Sequence, residues 1–189
     1  MSLIVLSGDI LFSRGVEALA SMNGQDNEQL CIIDIETFSS LREVKFRILN
    51  ELTTDYRLLF IKGRDMLSKV LSPLVSIPRW ASVTEYSHHI SEGKGYTLEQ
   101  ALTVVTNYRE LRNLTALEIR AVCALRGQNS IPAVSPFLHC STKAAYQRVT
   151  TIARKMNLGY GTQFQYFLHR EYTLEELQRM DYVQRIPVS

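Results

Sequence analysis

Cysteine and long apolar runs are scarce in this sequence, and each shortage excludes a class of protein. The cysteines number three, Cys31, Cys123 and Cys140, and none stand at a CxxC spacing, so neither a disulfide framework nor a zinc site is predicted. No apolar run approaches the length of a membrane span, and no charged leader precedes a hydrophobic segment at the N-terminus. We therefore expect a cytoplasmic protein that makes no membrane contact.

The composition indicates a packed protein whose charges divide unevenly along the chain. Of the 189 residues, 46% are hydrophobic, and this length accommodates two small domains. Residues 1–92 hold nine Lys or Arg against twelve Asp or Glu, whereas residues 108–170 hold nine Lys or Arg against two acidic residues. The C-terminal half is therefore predicted to be the part that binds a polyanion.

In the N-terminal half, short apolar runs alternate with amphipathic stretches. Strands are predicted at residues 3–6, 30–33, 57–61 and 79–83, and helices at residues 10–22, 38–49 and 66–74. Strands that alternate with helices form a parallel sheet covered on both faces. The expected fold class of residues 1–95 is therefore α/β, a parallel and incompletely doubly wound sheet.

The C-terminal half has the pattern of a compact helical domain. Thr115 and Glu118 form a capping box that opens a first helix, and Gly127 is predicted to end it. Pro132 suits the first turn of a second, short helix that ends near Leu138. A brief turn at His139 and Cys140 follows, and a third helix is predicted to begin after it.

The third predicted helix, which Ser141 or Thr142 caps, has a buried and an exposed face. The residues predicted to face inward are Ala145, Val149, Ile152, Ala153 and Met156. The other side carries cationic and hydrogen-bonding side chains, namely Lys143, Tyr146, Gln147, Arg148, Thr150, Arg154 and Lys155. A basic helix after a short turn is what a helix-turn-helix needs to enter the major groove of DNA. An ordinary helical subdomain with a solvated basic face is the alternative.

Residues 114–158 resemble the C-terminal domain of LuxR/FixJ-type bacterial transcription regulators. The matching positions are Leu114, Thr115, Glu118, Gly127, Leu138, Ser141, Lys143, Ile152, Lys155 and Met156. The departures are Ala145 where Val is usual, Arg148 for His, Asn157 for Gly, and Val134 and Ser135 for Ile-Ala. The resemblance implies an all-α, four-helix helix-turn-helix domain over residues 113–172.

The same resemblance implies roles for individual residues on double-stranded DNA. The side chains in or beside the groove would be Lys143, Tyr146, Gln147 and Arg148. Those on phosphates would be Thr142, Arg154 and Lys155, and Ser141 and Thr150 complete the predicted DNA-binding set. Because one recognition helix reads few base pairs, we expect a homodimer or a heterodimer with a related regulator.

Asp34 follows the second predicted strand, where an α/β sheet displays functional groups. The N-terminal half resembles a response-regulator receiver domain, in which such an Asp accepts phosphate. The expected acidic pair is replaced by Ser7 and Gly8 with Asp9 alone beside them, and Thr84 and Glu85 stand where a Lys is expected. Without paired carboxylates for Mg²⁺ and without a cation, we interpret Asp34 as a vestigial phosphoacceptor position or a cap of the next helix. Its early place in the chain suggests that one β-α unit is missing.

Two further capping boxes predict helices outside these domains. Thr97 and Gln100 open a connecting helix, placed at residues 96–112, on which Arg109 is expected to be solvated. Thr173 and Glu176 open a C-terminal extension helix, placed at residues 173–189. The extension is expected to pack on the domain or to reach a partner.

The sequence predicts no cofactor, no metal site and no enzymatic activity. His88 and His89 are adjacent, so they point in different directions from a helix, and no HExxH spacing is present. Ser7 lies in no GxSxG elbow and has no evident Ser-His-Asp constellation.

The sequence therefore predicts a DNA-binding transcription regulator whose N-terminal domain serves association and not phosphate sensing. Proteins of similar build are found among enterobacterial regulators of fimbriae and capsule, which is an analogy of fold only. The alternative is an antagonist that keeps the helix-turn-helix shape but sequesters a partner regulator without reading DNA.

Overall fold

The chain forms two compact units in a computed structural model that describes residues 2–22, 29–52, 56–128 and 130–183. Unit 1 is Met1–Thr106 and unit 2 is Asn107–Ser189. The boundary falls within the predicted connecting helix. Among the described residues, no helix has both the length and the apolar character that are needed to cross a bilayer.

Unit 1 alternates strands and helices. Its strands are β1 (Ser2–Leu6), β2 (Gln29–Asp34), β3 (Arg57–Lys62) and β4 (Val75–Pro78). Its helices are α1 (Ile10–Met22), α2 (Leu41–Glu51), α3 (Met66–Val70), α4 (Val83–Ser91) and most of α5 (Leu98–Arg109), whose last three residues belong to unit 2. The side chains of Ser40, Asp65 and Ser82 accept backbone hydrogen bonds and so cap the starts of α2, α3 and α4.

The described strands form one parallel sheet in the order β1-β2-β3-β4. The two middle strands are almost wholly apolar because both of their faces are covered. Leu30 and Ile32 of β2 and Phe60 of β3, for example, have no exposed surface. The predicted α/β unit with a parallel sheet is therefore confirmed.

Helices lie on both faces of this sheet. One face carries α1 and α4 over a cluster that comprises Val16, Ala20, Leu30, Ile32, Leu59, Ile61, Ile77, Tyr86 and Ile90. Cys31 points to the opposite face, because side chains alternate along a strand. On that face, burial raises the pKa of the Cys31 thiol to about 12, and the negative charge of Glu51 in α2 adds to the rise. The β1-α1-β2 and β2-α2-β3 connections run in the same direction on opposite faces, so one of them departs from the right-handed rule.

Two predicted elements of unit 1 are wrong in position or type. The predicted strand at residues 79–83 is a turn followed by the start of α4, and the strand lies earlier, at Val75–Pro78. The predicted helix at residues 66–74 ends at Val70, and a 3-10 turn, Ser72–Leu74, follows it. Pro73 in that turn cannot donate a helical hydrogen bond, and the apolar run 74–77 then continues as the edge strand.

Unit 2 contains a bundle of helices after the end of α5. These helices are α6 (Ala116–Gln128), α7 (Ile131–Val134), α8 (Thr142–Lys155), α9 (Gly161–Glu171) and α10 (Leu174–Val183). The predicted capping boxes are present, since Thr115 N–H donates to Glu118 at 2.8 Å and Thr173 N–H donates to Glu176 at 2.9 Å. Gly127 does not end the first helix, which continues to Gln128.

The inner face of α8 holds unit 2 together. Ala145, Val149, Ile152 and Ala153 are buried, as their spacing predicts. Helices α7 and α9 pack against α8, and α10 packs on α6. At the start of α9, a Cβ on Gly161 would lie only 3.1 Å from Val149 Cγ1, so a glycine allows this close approach.

The end of α8 explains one departure from the family pattern. Asn157, which stands where Gly is usual, adopts a left-handed conformation with φ of 57°. The N–H of Leu158 donates to the carbonyl of Ala153 at 2.8 Å, and that of Asn157 donates to Arg154 at 3.0 Å, as in a Schellman cap. After Gly, Asn is the residue that tolerates this conformation best, so Asn157 suits this helix end.

Candidate functional site

The outward side of α8 gathers the residues that the sequence predicts for DNA binding. We define the α8 face as Thr142, Lys143, Tyr146, Gln147, Arg148, Thr150 and Arg154. Thr142, Lys143, Gln147 and Arg154 are exposed, Tyr146 is 47% exposed, and Arg148 and Thr150 are half-buried. None of them is turned into the core of unit 2, so all can touch a second molecule.

The cations of the α8 face are not neutralised by any residue in the described part of the chain. Among the residues that the structure describes, Lys143, Arg148 and Arg154 form no ion pair, and α8 itself contains no acidic residue. An unpaired, exposed cation retains its full attraction for an external anion. The face therefore has the electrostatic character that a phosphate backbone requires.

Lys155 differs from these cations because a carboxylate already holds it. Its Nζ lies 2.8 Å from Glu118 on α6, and Asn113 donates a hydrogen bond to its carbonyl at 2.7 Å. Partial burial opposes ionisation of Glu118, but hydrogen bonds from Lys155 and Thr115 outweigh it and lower the pKa of that carboxyl. Lys155 thus ties α8 to α6, and its predicted phosphate contact would have to compete with this pair.

The first turn of α8 is capped by a side chain and leaves two polar residues exposed. Ser141 is the N-cap, and its Oγ accepts a hydrogen bond from the Ala144 N–H at 3.3 Å. Thr142 and Lys143 are exposed in the same turn, where the helix dipole places partial positive charge. The hydroxyl of Ser141 is therefore used for capping, while the side chains that follow it remain accessible.

A second cluster of polar groups lies in unit 1, at the carboxyl end of the sheet. We define the Asp34 pocket as Ser7, Asp9, Asp34, Glu36 and Arg79. Asp34 is completely buried, and Ser7 donates to its Oδ2 at 2.9 Å. Arg79 Nη2 forms an ion pair with Asp9 and lies 3.5 Å from Asp34 Oδ2, while its Nη1 lies 3.5 Å from Glu36. Asp34 Oδ1 has no hydrogen-bond partner among the described residues.

Burial and charge act in opposite directions on these groups. Burial raises the pKa of Asp34, although the Ser7 hydrogen bond and the charge of Arg79 oppose the rise. Burial alone would lower the pKa of Arg79, but Asp34 and Asp9 outweigh that effect and raise it. The Phe12 N–H, with help from Arg79, lowers the pKa of Asp9. Arg79 is therefore a fixed cation, and burial disfavours the ionised form of Asp34.

Two sequence interpretations of Asp34 are wrong. The side chain of Asp34 caps no helix, since the 3-10 turn after it has no side-chain cap. A cation is present after the last strand, because β4 ends at Pro78 and Arg79 follows it directly. The error came from the misplaced strand, which put Thr84 and Glu85 in that position. A basic residue after Pro78 was the signal that could have identified Arg79.

Beside the Asp34 pocket, an open cleft of about 540 Å³ is lined by Asp9, Phe12, Glu36, Arg64, Arg79 and Trp80. Arg64 lies over the Trp80 ring, 5.4 Å from its centroid, and Arg79 lies over the Phe12 ring at 5.0 Å. The two arginines of this cleft are thus engaged with aromatic rings or carboxylates. In the described part of the chain, no group of three His, Cys, Asp or Glu residues is placed to hold a metal ion.

Arg109 is not solvated as the sequence suggests. Its Nε lies 3.1 Å from Glu171, its Nη2 lies 2.7 Å from Glu176, and the guanidinium stacks over the Tyr172 ring. Burial, reinforced by Glu171, raises the pKa of Tyr172. The described part of the C-terminal extension, α10, therefore packs within unit 2, and Arg109 contributes structure and not positive surface.

Comparison of the chain with protein-family models, curated proteins and solved structures gives no match. The functional argument therefore depends on the two clusters described above.

Proposed function

We propose that this chain is a DNA-binding transcription regulator that contacts promoter DNA through α8 and acts as a dimer. The observation that carries the proposal is the α8 face, where three cations form no ion pair with any described residue and several hydrogen-bonding groups are exposed on one helix. Lys143 and Arg154 are suited to phosphates, and Gln147 and Arg148 to base edges. Within unit 2, the helix order and the caps agree with the LuxR/FixJ-type resemblance.

The sheet of unit 1 supports the related proposal of a degenerate receiver. Receiver-type domains have the strand order 2-1-3-4-5. Removal of the outer strand 2 leaves 1-3-4-5, which is a sequential order like that of β1-β2-β3-β4. The loss of that strand would also explain why α1 and α2 lie on opposite faces of the sheet. In a receiver, α1 connects the first strand to the outer strand, and α1 here would have stayed on the face that this connection uses.

The Asp34 pocket supports independence from phosphorylation. Arg79 already occupies the space between Asp9 and Asp34, where a divalent cation would have to bind. Phosphoryl transfer needs a metal ion that bridges phosphate oxygens and a carboxylate that can attack. Asp34 is buried, accepts a hydrogen bond from Ser7 and faces the guanidinium of Arg79, so it has neither a site for the metal ion nor freedom to attack a phosphoryl group. Unit 1 is therefore proposed to serve association.

A salt titration of DNA binding tests the proposal. The full chain is incubated with its own upstream region and with excess competitor DNA at several salt concentrations. We expect specific retention whose affinity falls steeply as salt increases, because phosphate contacts release counterions. Equal retention of the upstream region and the competitor at every salt concentration would reject the regulator function.

Tyr146 favours a second candidate, the antagonist that binds a partner regulator. It is a large aromatic side chain, 47% exposed, in the middle of the α8 face, and exposed tyrosines are enriched in protein interfaces. A mixture of the chain with related regulators would then form complexes without DNA. Tyr146→Ala separates the two candidates. If the chain is the antagonist, this variant should lose the complexes with the partner regulator. If the chain binds DNA, the variant should still retain the upstream region, only more weakly.

A further inference from the structure

We propose that the outer edge of β1 is a self-association site, at which β1 of a second copy adds as an antiparallel strand. This site is an edge of the sheet and not one of its faces. The site would form the dimer that the proposed function requires, and in this respect the inference rests on that function. Its physical basis is independent of DNA binding.

β1 is an edge strand only because the sheet has the order β1-β2-β3-β4. Among the described residues it pairs with β2 alone, so half of its backbone N–H and C=O groups point outward. It is also less covered than its neighbour. Leu3, Ile4 and Val5 are half-buried, whereas Leu30 to Ile33 of β2 have no exposed surface.

β1 lacks the features by which sheets protect their edges. Such edges are usually short, bulged or marked with charges and prolines. The opposite edge, β4, has four residues, ends at Pro78 and shows an irregular register with β3 between Phe60 and Ile61. β1 has five residues, SLIVL, without a charge, a proline or a bulge. One edge is therefore blocked and the other is open.

The sequence of β1 complements itself when the two strands run antiparallel. A two-fold axis at Ile4 places Ile4 opposite Ile4 of the second copy, and Leu3 opposite its Val5. All of these pairs are apolar, and no like charges meet, so the pairing has favourable cross-strand contacts on both faces.

Sedimentation of the full chain in the absence of DNA tests the inference with three lysine variants. Leu3 and Val5 pack towards α1, so Ile4 points to the other face, at the open edge. Ile4→Lys places two like charges opposite each other. Leu49→Lys, on the exposed side of α2, is the matched control, and Val83→Lys probes the apolar groove between α1 and α4.

We expect a dimer for the wild type, Leu49→Lys and Val83→Lys, and a folded monomer for Ile4→Lys, with unchanged far-ultraviolet circular dichroism. A monomeric wild type, or an Ile4→Lys chain that remains dimeric, overturns the inference. Loss of the dimer in Val83→Lys but not in Ile4→Lys assigns the interface to the α1–α4 groove instead.

Hydrogen exchange on the wild type covers the case in which Ile4→Lys does not fold. The amides of β1 that point away from β2 should exchange more slowly as the protein concentration rises, and exchange that is independent of concentration overturns the inference. Gel shifts on the same proteins distinguish the two proposals. If the dimer depends on β1 but retains no DNA, the proposed regulator function is rejected and the β1 interface stands. If the protein retains its DNA specifically but its dimer is insensitive to Ile4→Lys, the β1 interface is rejected and the regulator function stands.

Discussion

The Asp34 pocket and the α8 face both collect charged side chains, but only in the pocket do opposite charges lie against each other. In the pocket, one guanidinium faces three carboxylates, and Asp34 is fully buried. On the α8 face, Lys143, Arg148 and Arg154 point outward without an acidic neighbour on their helix. Charges with internal partners stabilise a fold, whereas exposed charges of one sign are available to a ligand.

This difference shows that a carboxylate at the end of a strand can serve an internal ion pair and need not be a functional site. Asp34 occupies the strand end at which α/β proteins display reactive groups. Arg79, from another strand end, converts that position into an ion pair. The following experiments alter one region or the other and ask whether DNA affinity and stability respond separately.

The largest effect is expected on DNA affinity when α8 loses two cations. Lys143→Ala with Arg148→Ala should weaken specific binding at least about thirtyfold, since each contact contributes about 1 kcal/mol or more. Titration of labelled upstream DNA measures it. The matched control is Arg14→Ala with Lys94→Ala, which removes two exposed cations from unit 1. Unchanged affinity in the α8 variant would refute the assignment of this helix.

A large effect on stability is expected in the Asp34 pocket. Arg79→Met should lower the free energy of unfolding by about 1–3 kcal/mol, because Asp34 then stays buried without its cation. Denaturant unfolding measures this loss. Adding Asp34→Asn to Arg79→Met should restore most of it, since the buried charge is removed with its partner. If the losses of the two single variants simply add, the pair is not coupled.

The helix end at Asn157 should show a moderate effect on stability. Asn157→Ala is expected to cost about 1 kcal/mol, because alanine tolerates a left-handed φ poorly, and Asn157→Gly should cost less. Thermal unfolding of both variants measures the difference. A larger cost for glycine than for alanine would contradict the role given to the cap.

A smaller effect, with a defined sign, is expected for pH. Burial raises the pKa of Asp34 in the folded chain, so the folded state binds more protons than the unfolded state above about pH 4. The contribution of this group to stability therefore decreases as pH rises through that window. The melting temperature of Asp34→Asn relative to the wild type should increase from about pH 4 to pH 7. A constant difference between the two proteins would show that Asp34 does not titrate there.

The smallest effect is expected when the pocket is altered and DNA binding is measured. Asp34→Asn should leave DNA affinity within about twofold, because the Asp34 pocket lacks the parts for phosphoryl transfer. Gel shifts with and without acetyl phosphate measure this. Covalent labelling of Asp34 by acetyl phosphate would contradict the proposed independence from phosphorylation.

Much of the local structure was predictable because local signals specify it. Capping boxes at Thr115 and Thr173 mark helix starts, since hydroxyl and carboxylate satisfy nearby backbone groups. The inward spacing of Ala145, Val149 and Ile152 predicts the buried side of α8. The sequence does not locate the fourth strand, because residues 75–78 (VSIP) and 79–83 (RWASV) are both short, largely apolar segments that meet at Pro78. Only pairing with β3 decides between them.

The residues that sequence reasoning missed are those with distant partners. Arg109 contacts Glu171 and Glu176, more than sixty positions along the chain, and Arg79 contacts Asp9 from seventy positions away. No periodicity or spacing encodes such pairs. They form when packing brings separate elements together and burial leaves each charge with a particular neighbour.

The amino-acid sequence by itself determined where most helices and strands form and which side of each one is apolar, because these depend on residues a few positions apart. The tertiary structure alone decided which charges are neutralised and which strand lies at an open edge. In unit 1, the strand order places β1 outermost and brings Arg79 beside Asp34. In unit 2, the packing of the inner face of α8 leaves Lys143 and Arg154 exposed.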